Sequence, residues 1–423
     1  MTNIEKQPKM IRIKPFFSRE SLDKPDLFLY GELEAFFSKI DSRWLKGKRI
    51  GITVGSRGID RIAKLVKATV NAIKAYGGLP LIVPAMGSHG KAYQNGQELE
   101  ILGYLGITQD TVGAPIIDCQ ETFLMGNTPN DLPVFVNRIA QELDGWIIMN
   151  RIKPHTDFSG SIESGLCKMI AIGLGSYEGA NMIHKTAIRR GYEEVIVETS
   201  QFVLEKLPVI ACVGLVENGI GEIAEIEVFS KDKSLEKEKL LLLKAKSMTA
   251  KLPSENIDIL IVDEIGKEIS GTGMDTKVIG RIMVKGQKEP ESPLIGRIVV
   301  LDLTEGSHGN ATGVGLADII TRRVFNKIDI KATTLNSITS SSPEQGKIPV
   351  VVSTDMDALD VAARTLGIEL EDARIIHIKN TKNLDEMEVS APLLKEIRQD
   401  QAVTIVGGMR PLTFDSFGAL KRI

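Results

Sequence analysis

The stretch KRIGITVGSRGIDRIAKLVKATVNAIKAYGGLPLIVPAMGSHG, residues 48–90, holds two short apolar runs around one long amphipathic run. The first run, 48–54, is rich in β-branched residues and ends in Gly55-Ser56-Arg57-Gly58, which predicts a strand and a loop. Beyond it Ile62, Leu65, Val66, Val70 and Ile73 recur at helical spacing, and Gly77 and Gly78 stop the pattern as C′ glycines do. Residues 79–86 predict a second strand that runs into Gly87-Ser88-His89-Gly90. Strand, helix and strand in this order predict parallel strands covered by helices.

The same alternation continues outward. A helix is expected near 94–105 and a strand at 114–118. The run 134–143 precedes a strong strand at 145–150, and 192–206 reads as a helix packed on the sheet. A charged amphipathic helix with a Pro-Ser break, 231–256, marks a domain boundary. Strands follow at 257–263, 296–303, 348–354 and 373–378, with helices over 315–328 and 357–367. The expected fold class is α/β: a doubly wound, mostly parallel sheet in an N-terminal domain, with a second, smaller α/β domain. The first domain is expected over residues 1–250 and the second over 251–399. The run 402–409 is expected to carry residues 400–423 back to the first domain.

Composition narrows the function classes. The chain has 423 residues, 43% hydrophobic and 25% charged, as soluble globular proteins do. A net charge of −3 gives no reason to expect nucleic acid or an acidic membrane as partner. No apolar run reaches the length of a membrane span, and no secretory signal is evident. Cys119, Cys167 and Cys212 are odd in number, widely spaced and without a CxxC pair, so a reducing cytoplasm fits best.

In parallel sheets ligands bind beyond the carboxyl ends of the strands. Three of the expected strands end in loops that carry Arg57, His89 and His155, and a parallel sheet brings these to one edge. Backbone N–H groups and a guanidinium make an anion site of the first loop. Of five histidines, His89, His155, His184 and His308 fall in or beside Gly-rich loops, which suits acid–base work or metal ligation. His377 lies inside a strand and reads as structural. Lys168, in the apolar run SGLCKMIAIGLG, is either a snorkelling lysine or a desolvated amine available for covalent chemistry. Cys167 reads as a buried, inert thiol. Gly173, Gly175 and Gly179 form a GxGxxxG string with Glu198 beyond it, the weak outline of a dinucleotide fingerprint.

Four pieces in order, VGSRG (54–58), MGSHG (86–90), IKPHTDF (152–158) and SGLCK (164–168) with GSYE (175–178) and then His184, resemble the nickel-dependent lactate racemases. The likeness is good over residues 50–190 and fades in the second half. It implies a racemase or epimerase of a 2-hydroxy acid that uses a nickel-pincer nucleotide, a pyridinium mononucleotide with two thiocarboxyl groups. It also implies covalent attachment at Lys168, His184 as the protein's nickel ligand, and His89 and His155 as the two bases that exchange the hydroxyl proton. Arg57 would hold the substrate carboxylate or part of the nucleotide, with Ser56, Gly87 and Gly165 around the cofactor. Maturation enzymes for the cofactor are implied as partners.

The chain departs from the family pattern in three places. Val54 stands where the family has an acidic residue. The loop between His155 and Lys168 is longer by Ser161-Ile162-Glu163, which puts Glu163 within reach of the site. The segment 266–281 replaces the family's substrate contacts, with Lys277 and Arg281 as substrate-binding candidates and Lys267 and Asp275 beside them. A larger or more acidic 2-hydroxy acid than lactate is expected, in a cleft between two domains. Two alternatives stand beside this reading: an NAD-dependent oxidoreductase using Gly173–Gly179, and a non-catalytic binder of the pincer nucleotide.

Overall fold

A computed structural model describes residues 7–87, 97–117, 119, 121–400 and 403–423. The chain forms two compact units. One comprises residues 18–155 and 159–249, the other residues 1–17, 156–158 and 250–423. The opening strand β1 (Lys9–Pro15) belongs to the second of these.

The first unit is built on the quoted stretch. Strand β2 (Arg49–Val54) pairs in parallel with β3 (Leu79–Pro84), and the helix Ile62–Ala75 joins them. A two-stranded antiparallel ribbon, β4 (Thr122–Asn127) and β5 (Pro133–Asn137), precedes β6 (Gly145–Arg151). β6 pairs in parallel with both β2 and β7 (Val209–Glu217), and β8 (Ile223–Phe229) adds an antiparallel edge. The strand order is β3-β2-β6-β7-β8, so the chain changes direction across the sheet at β2 and β6. Alternation sorts the side chains by face. Ile50, Ile52 and Ile147 pack with Leu29, Leu33 and Phe37 of the helix Pro25–Lys39 and with the helix Ile62–Ala75. Val83, Trp146, Ile148 and Cys212 pack on the other face with Leu166, Val203 and Leu241. Each large side chain so buried contributes about 1.5–3 kcal/mol.

The second unit carries an eight-stranded sheet. Its remaining strands are β9 (Asn256–Val262), β10 (Leu294–Val300), β11 (Ile319–Thr321), β12 (Val350–Val352), β13 (Ile375–Ile378), β14 (Met387–Ser390) and β15 (Val403–Pro411). The order is β12-β11-β10-β9-β13-β14-β1-β15, parallel from β12 to β13 and antiparallel beyond. The fold class is therefore α/β with mostly parallel sheets.

Several expectations need correction. Residues 403–411 do not return to the first unit: β15 pairs with β1, and it is the N-terminal segment that crosses to the second unit. The run 315–328 is not one helix. It divides into a 3-10 turn, strand β11 and the helix Arg322–Lys327, because Ile319 and Ile320 are buried in the sheet. Among the described residues of 114–118 only a single bridge forms, Ile116 to Ile82. Among the described residues no helix is long and apolar enough to cross a membrane.

Candidate functional site

Arg57 follows β2, and Arg151 ends β6, so both lie at the carboxyl ends of the strands where the order reverses. Crevices at such points are where open α/β sheets bind ligands. Partial desolvation in the loop, then repulsion by Arg151, hold the Arg57 guanidinium below its ordinary value, although its side chain is open to solvent. Arg151 is ion-paired to Glu217 on β7, which also accepts the Asp60 N–H at 2.8 Å. The sequence had not placed Arg151 beside Arg57. Ser56 is half-buried in the same loop.

His155 and Lys168 come together because their loop closes on itself. Lys153 and Ser164 exchange both backbone hydrogen bonds, at 2.8 and 3.2 Å. The Asn150 amide, at the end of β6, donates to the Gly165 carbonyl at 2.9 Å. The loop between is anchored by Glu163, which is buried and accepts the N–H groups of His155 at 2.6 Å and Gly160 at 3.1 Å. Its charge is met by Lys246 at 2.6 Å, from the helix Ser234–Met248. The residue that lengthens the loop is thus its brace. With the neck closed, the Lys168 amine is hydrogen-bonded to Nε2 of His155.

Lys168 ends a one-turn helix, Leu166–Lys168, that continues as a π-helix over Met169–Gly173, with Leu174 N–H donating to the Met169 carbonyl at 2.9 Å. Such π-turns concentrate at functional sites. The helix begins at Gly165, where any Cβ would strike the Glu238 carboxyl. Glu238 is fully buried and accepts the Cys167 N–H at 2.8 Å. Burial outweighs its hydrogen bonds and pushes its carboxyl from 4.5 up to about 7. Cys167 and Cys212 are buried too, and burial raises both thiols, Cys212 to about 12, so neither is a ready nucleophile.

The raised Glu238 carboxyl has a measurable consequence. Between pH 4.5 and about 7 the folded chain keeps a proton that the unfolded chain has lost. Stability therefore falls as pH rises through that window, by roughly 3 kcal/mol in all. Glu238→Gln removes the cost and keeps an acceptor for Cys167. Its stability relative to wild type should rise from pH 5 to pH 8 in denaturant titrations; a flat or falling difference would refute the account.

His184 lies on the helix Ser176–Arg190 and Tyr192 opens the next one. Nδ1 of His184 is 3.1 Å from the Tyr192 hydroxyl, and the rings meet edge to face at 5.6 Å. Burial first, and the Lys168 charge second, pull the imidazole down to about 4. A neutral ring with one nitrogen engaged has the other to offer, which is the state a metal ligand needs. Among the described residues no three His, Cys, Asp or Glu side chains converge as a metal cluster. Nickel held here would need further ligands from another molecule. A pincer nucleotide brings its own soft sulfur donors, so the residues fit it: an amine for the tether and a neutral imidazole for the metal.

The remaining candidates fall in different places. His89 lies outside the described residues. Gly87 has φ +63°, and a Cβ there would meet Ile172 at 2.8 Å, so this glycine seats the strand end against the π-helix. Lys277 and Arg281 lie in the second unit. Lys277 donates to the Phe158 carbonyl at 3.0 Å. Arg281 is spent on Asp318 at 3.0 Å and on the carbonyls of Leu316 and Ile295, which makes it a loop clamp. Lys267 is bonded to Asn336 at 2.7 Å. His308 takes a left-handed conformation at φ 47°.

The GxGxxxG string is not a dinucleotide loop. Residues 169–173 are π-helix and 176–190 α-helix, with no strand before the glycines. Added Cβ atoms at Gly173 and Gly175 would strike the Ala85 and Ala171 carbonyls at 2.7 Å, so these glycines serve close packing. The NAD-dependent reading loses its motif.

Comparison with known proteins points the same way as the residues. Residues 57–195 match the lactate racemase N-terminal domain. The structure is similar to that of the lactate racemase apoprotein from Thermoanaerobacterium thermosaccharolyticum, at a TM-score of 0.53 and 15% identity. That match covers 88% of this chain and 98% of the other, and it shows a shared fold. No curated protein matches the chain.

Proposed function

We propose that this chain, which belongs to the lactate racemase family through its residues 57–195, interconverts the configurations at C2 of a 2-hydroxy acid with a nickel-pincer nucleotide tethered at Lys168. The observation that carries the reading is the Lys168 amine hydrogen-bonded to His155, with its charge helping to keep His184 neutral. The bound group supplies a hydride acceptor and donor for C2. Lys168 offers the amine that is acylated, and His184 offers a ring nitrogen to nickel. With the Lys168 amine committed to the tether in place of its bond to His155, the His155 ring would take and return the hydroxyl proton. A base on the opposite face is needed for the other enantiomer, and the family resemblance gives that role to His89. Arg57 pairs with the substrate carboxylate. Val54 is buried in the core, so no acid stands at the end of β2, which favours a substrate other than lactate, such as a malate-like or sugar acid. Installing the group calls for its maturation enzymes.

The test is production alongside those enzymes, then intact mass, metal analysis and configurational exchange at C2, read as interconversion of the enantiomers, across a panel of 2-hydroxy acids. An adduct at Lys168, about one nickel per chain and exchange with one acid support the reading. An adduct with nickel but no exchange across the panel makes the chain a carrier. No adduct removes the mechanism. Among variants, His155→Ala should keep adduct and nickel and lose exchange by about 10²–10⁴-fold, the usual worth of a general base. His184→Ala should keep the adduct and lose the nickel; loss of nickel in His155→Ala instead would reverse the two assignments.

A further inference from the structure

One turn of helix touches both halves of this site. The helix Tyr192–Lys206 begins immediately after Gly191, at φ 87°, which ends the helix carrying His184. Its first residue, Tyr192, is buried, and its hydroxyl meets His184 Nδ1. Its second residue, Glu193, reaches the loop that carries His155. One oxygen of Glu193 accepts the N–H groups of Ser161 at 2.9 Å and Ile162 at 3.2 Å, and also the Ser161 hydroxyl. Gly160 packs so closely on the same carboxylate that an added Cβ would collide with it. Glu163, next in the loop, then holds the His155 N–H. The chain of contacts from Glu193 to His155 is short, and every link is a hydrogen bond to backbone.

We infer that the first turn of the helix Tyr192–Lys206 is a shared brace for both imidazoles. Tyr192 is the positioning residue for His184 and Glu193 the positioning residue for the His155 loop. The Tyr192 hydroxyl fixes the ring orientation of His184 through Nδ1, so that Nε2 faces the ligand position. Glu193 converts a Gly-Ser loop, which would otherwise sample many conformations, into one that holds His155 in place beyond the end of β6. Because both side chains leave one rigid turn, the distance between the proton-transfer group and the metal ligand is set by the helix and not by either loop. The roles of the two imidazoles rest on the function proposed above; the brace itself does not.

The experiment therefore has two arms. In the unloaded protein, Glu193→Ala should speed amide hydrogen exchange at Ser161 and Ile162 by about tenfold or more, since their acceptor is gone. Tyr192→Phe, which keeps the ring contact, should change the ¹⁵N shifts of the His184 ring. In the loaded enzyme, Glu193→Ala should lower kcat by about 10–100-fold with KM within about twofold, and Glu193→Gln, which still offers an acceptor, should recover most of it. Tyr192→Phe should speed nickel release to a chelator by about 10–100-fold while the Lys168 adduct stays. The inference is overturned if both variants leave exchange and ring shifts as in wild type, or if kcat and nickel release both stay within about twofold. A wild-type chain that takes up no adduct defeats the proposed function instead, and the unloaded arm still decides the brace.

Discussion

Lys168→Ala is expected to give a folded chain with no adduct and no measurable racemisation. Without the tether the reaction loses its hydride acceptor, so the fall should reach at least about 10⁶-fold, the lower end of enzymic acceleration. Lys168→Arg separates charge from nucleophilicity. It keeps a cation beside His155 and His184 but cannot be acylated, and it should be equally inactive. The two variants should differ in the unloaded protein. The Lys168 charge is one cause of the low His184 value, about 4. Lys168→Ala should therefore let His184 titrate at a higher pH, and Lys168→Arg should not, as ¹⁵N or ¹H shifts of the ring will read. The chain should still fold, because Lys168 is half-buried and its hydrogen bond to His155 is worth about 1.5–3 kcal/mol when charge-assisted, less than a domain's usual stability. Activity surviving in Lys168→Arg would rule out covalent attachment at this residue.

His377→Ala should strongly destabilise the second unit. The ring is wholly buried, with Nε2 at 2.7 Å from Asp263 and Nδ1 at 3.7 Å from Glu388. Asp263 is also bonded to Arg422 at 3.1 Å and to the Ile423 N–H at 3.0 Å, and Glu388 is paired with Arg410. Removing the imidazole leaves two buried carboxylates short of a partner, a cost of about 3–5 kcal/mol. That should lower the melting temperature by roughly 10 °C for a unit of this size. The pH dependence follows from the same bonds. Burial opposes the Glu388 charge, but His377 and Arg410 prevail and hold its carboxyl down at about 2. Its stabilisation is present above 4.5 and is lost as pH falls through about 2. Burial works against the His377 charge as well, and the two carboxylates overcome it and raise the imidazole above 6.5. That contribution is complete below 6.5 and is lost as pH rises through the raised value. Both are whole between 4.5 and 6.5, where the difference between wild type and His377→Ala should peak. A difference that grows steadily toward alkaline pH would contradict this network.

How much of this was legible beforehand depends on how far along the chain the deciding contact lies. The β2–helix–β3 unit could be read from residues 48–90 because periods of 2 and 3.6 are local, and Gly77 and Gly78 end the helix by their own backbone freedom. The strands at 145–151, 256–262 and 375–378 announced themselves in the same way. Strand β11 did not, since three residues between a turn and a helix carry no period. Nor could β15 be assigned to its sheet. Its partner β1 lies almost four hundred residues away, and which edge a strand joins is decided by packing that no local spacing records.

The site divides along the same line. Residue type and position made candidates of Arg57 and His155, in loops beyond strands, and of Lys168 and His184, beside glycine-rich turns; the folded chain sets the last two on helices. Their partners were not recoverable. Tyr192, Glu193 and Glu238 look in the sequence like an ordinary helix start and an ordinary charged helix face, and Arg151 and Glu217 like strand ends. The folded chain brings Glu238 to Cys167 and Glu217 to Arg151, across 71 and 66 positions. The sequence by itself determined which groups are candidates for chemistry and that Arg57 and His155 follow strands. Only the tertiary structure decided their charge states and orientations, since those depend on burial and on hydrogen-bond partners that chain closure alone supplies.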